Sequence, residues 1–174
     1  MKNERLELFL SSKQISERVK ELAETISQDY EEKNPLLLCV LKGAVVFLAD
    51  LIRNLRVRAE LDFIAASSYH RDDSTGTVNV SPMFSTSVRG KDILIVEDII
   101  DTGLTYRALM NYLVVREPAS LKLCTLLDKL SQRRTEVIQP DYVGFSIPDT
   151  FVVGYGLDYG EKYRELQDIC LLVR

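Results

Sequence analysis

Histidine is nearly absent: His70 is the only one in 174 residues, so no histidine-rich metal site can be assembled from this chain. Cysteine is scarce too. Cys39, Cys124 and Cys170 are odd in number, widely separated and set in the apolar stretches LLLCVL, LKLCTLL and DICLLV. That excludes a disulfide framework and predicts buried free thiols in a reducing, cytoplasmic compartment. Excess positive charge is lacking: 22 Lys and Arg against 26 Asp and Glu leave a net charge of -4. Without a broad basic field, neither nucleic acid nor an anionic membrane surface is an expected partner, and any anion must be held locally. No apolar run reaches transmembrane length, and charges interrupt the N-terminal MKNERLELFLSSKQISERVK, which does not read as a signal peptide.

What is present is 46% hydrophobic and 28% charged residues, the balance of one globular domain, residues 1–174, with a single core. Ile15, Val19, Leu22 and Ile26 recur at helical spacing below Ser11 and Ser12 as caps, predicting an amphipathic helix from Ser12 to about Tyr30. Asn34-Pro35 ends it. Leu36 to Leu41 reads as a strand, Lys42-Gly43 as a turn and Ala44 to Asn54 as a helix. Leu61 to Ser67 is a further strand, followed by the polar SYHRDDSTGTVNV, in which alternation resumes at Val78 and Val80. A strand ending at Val96, a helix from about Leu104 to Val115 and a strand from Leu121 to Leu127 come next. Tyr142 to Ile147, Phe151 to Tyr155 and Ile169 to Val173 are shorter strand candidates. Strands alternating with helices imply an α/β fold with a mostly parallel sheet, and the late short strands an appended subdomain.

The stretch richest in chemistry is DILIVEDIIDTGLT, Asp92 to Thr105. Ile93, Leu94, Ile95 and Val96 form the branched run of a strand buried on both faces. Glu97, Asp98, Asp101, Thr102, Gly103 and Thr105 then follow within nine residues, at the carboxyl edge where open α/β sheets bind ligands. Backbone amides, two hydroxyls and the helix dipole suit a phosphate. Carboxylates repel phosphate, so Glu97 and Asp98 are expected to meet sugar hydroxyls or magnesium instead. Asp-Thr-Gly also occurs in aspartic proteases, but those need two such turns from symmetric all-β lobes, whereas this one stands between a strand and a helix.

VEDIIDTGLT resembles the signature of the phosphoribosyltransferases, and the closer resemblance is to the hypoxanthine-guanine phosphoribosyltransferases. Four ordered segments carry it: LKGAVVFLADL at 41–51, SSYHRDDSTGTV at 67–78, LIVEDIIDTGLT at 94–105 and PDTFVVGYGLDYGEKYREL at 148–166. The resemblance implies the type I phosphoribosyltransferase fold: a mostly parallel central sheet flanked by helices, a core at about 36–147, a small hood from the N-terminal residues and about 148–174, and a flexible lid hairpin. It implies a dimer or tetramer. It also implies a magnesium-dependent transfer of the 5-phosphoribosyl group from phosphoribosyl pyrophosphate to N9 of a 6-oxopurine, yielding inosine or guanosine monophosphate (IMP or GMP) and pyrophosphate.

By the same resemblance, Asp101, Thr102, Gly103, Leu104 and Thr105 hold the 5'-phosphate, and Glu97 and Asp98 face ribose and magnesium. Leu41, Lys42 and Gly43, with a cis peptide before the lysine, bind pyrophosphate together with Arg164. Ser68 and Tyr69 belong to the lid, which excludes water from the reactive sugar. Lys129 donates to the purine 6-oxo group, Phe151 stacks on the ring, the Val152 backbone meets its edge, and Asp158 lies near a second magnesium ion. Asp101 is the candidate general base at purine N7. An ammonium donor at Lys129 favours hypoxanthine or guanine over adenine, whose amino group offers no comparable acceptor. Gln167 departs from the family pattern, where proline is common after the leucine. Two rivals stay open on sequence alone: another phosphoribosyltransferase acting on xanthine, adenine or a pyrimidine, and a regulator that keeps the sugar site as a sensor and binds nucleic acid.

Overall fold

A computed structural model describes residues 4–68, 78–83, 87–130 and 138–173. Its centre is a six-stranded sheet built from β2 (Leu36–Leu41), β3 (Glu60–Ser68), β4 (Val78–Pro82), β5 (Asp92–Ile100), β6 (Ser120–Leu130) and β7 (Tyr142–Pro148), in the order β4-β3-β2-β5-β6-β7. Four of the neighbouring pairs are parallel, and only β4 runs antiparallel, against β3. A second, antiparallel sheet joins β1 (Arg5–Leu10) to β9 (Ile169–Val173), and β9 to the short β8 (Val152–Val153). Among the described residues no helix is long and apolar enough to cross a membrane.

The branched runs are uninterrupted because the sheet is covered on both sides. In β2, Leu37 and Cys39 face one apolar cluster while Leu36, Leu38 and Val40 face the other. In β5, Leu94 and Val96 divide in the same way from Ile93 and Ile95. Helices α1 (Ser12–Asp29) and α2 (Val45–Asn54) cover the first face, through Ile15, Val19, Leu22, Ile26, Phe47, Leu48 and Leu51. Helix α3 (Leu104–Val114) covers the second with Leu109 and Leu113. Truncating one such residue, as in Leu94→Ala, costs about 2–5 kcal/mol. Helix α1 begins at a capping box in which Gln14 Oε1 accepts the Ser11 N–H at 3.0 Å and Ser11 Oγ accepts the Gln14 N–H at 3.4 Å.

Several elements differ from the sequence expectation. Strand β5 does not stop at Val96 but runs through Glu97 and Asp98 to Ile100, because its partner β6 stays in register as far as Ile100 opposite Asp128. Strand β6 likewise reaches Leu130, so Lys129 lies inside a strand rather than after one. The stretch from Phe151 to Tyr155 contains only the two-residue β8. Strand β1 was not anticipated at all, and it pairs Leu6 with Leu172 and Leu8 with Cys170. Cys39 and Cys124 are buried, but Cys170 is only half-buried.

The topology locates a crevice. From β2 the sheet proceeds one way to β3 and β4 and the other way to β5, β6 and β7, so the β2–β5 junction is a switch point of the kind that binds ligands at its carboxyl end. Pairing of β2 with β5 ends at Cys39 opposite Val96. Beyond it the two chains diverge, one into Leu41–Gly43 and the other into Glu97 and Asp98.

Candidate active site

Helix α3 opens at Gly103, whose φ of 86° is a left-handed conformation that glycine adopts without strain. Gly103 has no side chain with which to cap the helix and no acidic residue occupies the first turn, so the positive end of this eleven-residue helix suits an incoming anion. Thr102 supports the corner locally, its Oγ1 accepting the Leu104 N–H at 3.4 Å. A cavity of about 230 Å³ sits over this corner, lined among others by Glu97, Asp98, Asp101, Thr102, Gly103 and Thr105.

A second cavity of about 290 Å³ shares Asp98 and Asp101 with the first and is walled besides by Lys129, Phe151, Val152 and Asp158. Lys129 is 5% exposed, and its ammonium stands 3.5 Å from Asp101 Oδ2 and 3.2 Å from Asp149 Oδ1. Phe151 is 47% exposed and meets Tyr159 edge-on, with centroids 5.8 Å apart. The four residues assigned to the base therefore converge on one pocket that also takes in Asp98 and Asp101.

Among the described residues no cation forms an ion pair with Glu97 or Asp98, although the charge of Arg164 is felt at Asp98. Burial first, and the Asp98 charge second, hold the Glu97 carboxyl well above its ordinary range. Burial also pushes Asp98 up to about 6, against the opposing pull of the Ile99 N–H, donated to Asp98 Oδ1 at 2.8 Å, and of Arg164. The described residues contain no group of three His, Cys, Asp or Glu side chains spaced to enclose a metal. Two adjacent, under-compensated carboxylates do fit magnesium, which keeps much of its water and shares substrate oxygens rather than occupying an all-protein cage.

The turn after β2 closes the third side. The Leu41–Lys42 peptide is cis, as the resemblance implied. Lys42 and Arg164 come together over one carboxylate: Glu161 Oε2 lies 3.2 Å from Lys42 Nζ and 3.5 Å from Arg164 NH2. Arg164 also contacts Asp158 Oδ1 at 2.8 Å and donates to the Gly156 carbonyl at 2.8 Å, while its buried Nε has no hydrogen-bond partner among the described residues. Ser68 ends β3, and Tyr69 and His70 lie outside the described residues. Sequence reasoning missed Glu161 and Asp149. Both stand in the quoted segment from Pro148 to Leu166, beside residues that were assigned roles, but their pairing with distant lysines leaves no local signal.

Residues 8–160 match the family model of the phosphoribosyl transferase domain. The hypoxanthine-guanine phosphoribosyltransferase of Bacillus subtilis is 46% identical over 99% of this chain and 96% of its own length. The hypoxanthine-guanine-xanthine phosphoribosyltransferase of Tritrichomonas foetus is 45% identical over 91% of this chain and 86% of its own. A crystal structure of the Bacillus anthracis hypoxanthine-guanine phosphoribosyltransferase, with a HEPES molecule in its active site, superposes with a TM-score of 0.90 at 43% identity, covering 99% of this chain and all of that one. The chain belongs to the phosphoribosyltransferases, and within them to the hypoxanthine-guanine phosphoribosyltransferase family. Its activity is phosphoribosyl transfer in purine salvage.

Proposed function

We propose that the chain transfers the 5-phosphoribosyl group of phosphoribosyl pyrophosphate to N9 of hypoxanthine or guanine, giving IMP or GMP and pyrophosphate, with magnesium as cofactor. The observation that carries this reading is a shared wall: Asp98, Ile99 and Asp101 line both cavities. A phosphorylated sugar on one side and a purine on the other meet across these carboxylates, which is the geometry that glycosyl transfer needs.

In this reading the Thr102–Thr105 amides and hydroxyls hold the 5'-phosphate, and Glu97 and Asp98 orient the ribose diol. Lys42, Gly43 and Arg164 receive the departing pyrophosphate. Glu97 and Asp98 would hold one magnesium ion and Asp158 would lie beside a second. Magnesium, when bound, neutralises charge on the leaving group. Breaking the C1–oxygen bond builds positive charge on the sugar, which the nearby carboxylates stabilise. Asp101 takes the proton at N7, Lys129 donates to the 6-oxo group, Phe151 stacks on the ring and the Val152 backbone meets its edge. Ser68 and Tyr69 belong to the segment that closes over the sugar and keeps water from intercepting it.

Assembly as a dimer or tetramer belongs to the same reading. A structural study of the Trypanosoma cruzi hypoxanthine phosphoribosyltransferase concerns the C-terminal region's role in its oligomeric state and activity, and ultracentrifugation decides the point for this chain. The enzymatic test is incubation with magnesium, phosphoribosyl pyrophosphate and, separately, hypoxanthine, guanine, xanthine and adenine. IMP and GMP are the expected products, with adenine reacting far more slowly and no nucleotide from any base after chelation of magnesium. Failure of hypoxanthine and guanine to react overturns the reading.

A further inference from the structure

Lys129 is a buried cation held between two carboxylates that come from different parts of the chain. Asp101 sits between β5 and α3, whereas Asp149 directly follows Pro148, the last residue of β7, and directly precedes Thr150 and Phe151 of the base cavity. In the β6–β7 pairing Lys129 stands opposite Ile147 and Leu130 opposite Pro148. The chain therefore leaves β7 beside the lysine, which places Asp149 Oδ1 3.2 Å from its ammonium, closer than Asp101 Oδ2 at 3.5 Å. A buried ammonium requires a counter-charge, and its three donors must be shared out among partners.

The two carboxylates are not equivalent. Asp101 works on purine N7 during turnover, so its grip on Lys129 changes within each cycle. Asp149 lines neither cavity and has no assigned part in the transfer itself. We propose that Asp149 is a positioning residue for base recognition: its carboxylate fixes the Lys129 ammonium in the orientation that donates to the 6-oxo group of the purine. The proposal rests on the assignment of Lys129 as the 6-oxo donor. Asp149 thereby contributes to choosing hypoxanthine over adenine without touching either base.

Steady-state kinetics of Asp149→Asn, Asp149→Ser and Lys129→Met, each checked for fold by thermal melting, test this. Asp149→Asn is expected to raise KM for hypoxanthine about tenfold, to lower the hypoxanthine-over-adenine ratio of kcat/KM by a similar factor, and to leave KM for phosphoribosyl pyrophosphate unchanged. Asp149→Ser carries the same expectation should the asparagine variant not fold, and Asp149→Glu, which restores the charge, recovers part of the loss. An unchanged KM for hypoxanthine, or parallel changes in both KM values, assigns Asp149 to structure alone and overturns the proposal. Loss of base preference in Lys129→Met with its retention in the Asp149 variants also overturns it while leaving the Lys129 assignment standing. If Lys129→Met keeps the preference, the assignment itself has failed and the proposal falls with it.

Discussion

Gly43 and Asp98 claim the same space: a methyl group on Gly43 would coincide with the Asp98 carboxylate. The close approach bridges the gap that opens where β2 and β5 part, and sets the turn after β2 against the acidic end of β5. Gly43→Ala therefore displaces Asp98 rather than disturbing the core. The expected result is a fall of about 100-fold in kcat/KM for phosphoribosyl pyrophosphate, the usual cost of displacing a reacting group by about 1 Å, with an unchanged far-UV spectrum. Near-native kinetics would show that the turn and the acidic strand end need not meet.

Asp101→Asn keeps the size of the side chain and removes its basicity. A drop of roughly 100- to 10,000-fold in kcat is expected, with KM for phosphoribosyl pyrophosphate little altered because the corner at Thr102–Thr105 remains intact. Pre-steady-state measurement of the chemical step is the check, and a wild-type rate would remove Asp101 from the mechanism.

The acidic pair works against folding when it is ionised. An aspartate ordinarily titrates near 3.8, and burial raises Asp98 to about 6, so the folded state holds this proton more tightly than the unfolded chain. The cost to stability is absent below the ordinary value, grows as pH rises and is complete above about 6. Asp98→Asn should therefore raise Tm of the ligand-free protein at pH 7.5 by about 2–4 °C, the effect of roughly 1 kcal/mol at this chain length. That gain should vanish by pH 4 even though activity is lost. A variant less stable at pH 7.5 would contradict the burial argument.

Glu161 holds Lys42 and Arg164 where pyrophosphate is proposed to go, but the Lys42 and Glu161 side chains are 69% and 66% exposed. Exposed pairs of this kind contribute about 0–1 kcal/mol, which limits the effect. Glu161→Gln should lower KM for phosphoribosyl pyrophosphate by at most about fivefold, and the difference should shrink in high salt. Titration of KM against salt in both proteins measures it, and a raised KM would show that Glu161 assists binding instead of competing with it.

Much of this was legible in the sequence. LLLCVL and ILIV read as strands covered on both faces because every position in them is apolar, and the helix entered at Gly103 was visible from the small polar residues before it. Glu97 and Asp98 were misread as a turn, since carboxylates interrupt an apolar run. The strand continues through them because pairing with β6 satisfies the backbone whatever the side chains are. Strand β1 was hidden by Arg5 and Glu7 alternating with Leu6 and Leu8, a period of two at a sheet edge that resembles a polar terminus. The pairing of Lys42 with Glu161 joins positions 119 residues apart, and that of Lys129 with Asp149 depends on the β6–β7 register. Neither distance has any expression in local pattern.

The most direct test is a crystal structure with IMP or GMP bound. The account predicts the 5'-phosphate on the amides and hydroxyls of Thr102–Thr105, the ribose diol against Glu97 and Asp98, and the base beside Lys129 and Phe151. A nucleotide bound with its phosphate away from the Gly103 corner, or with its base outside the cavity that Lys129 lines, would contradict it.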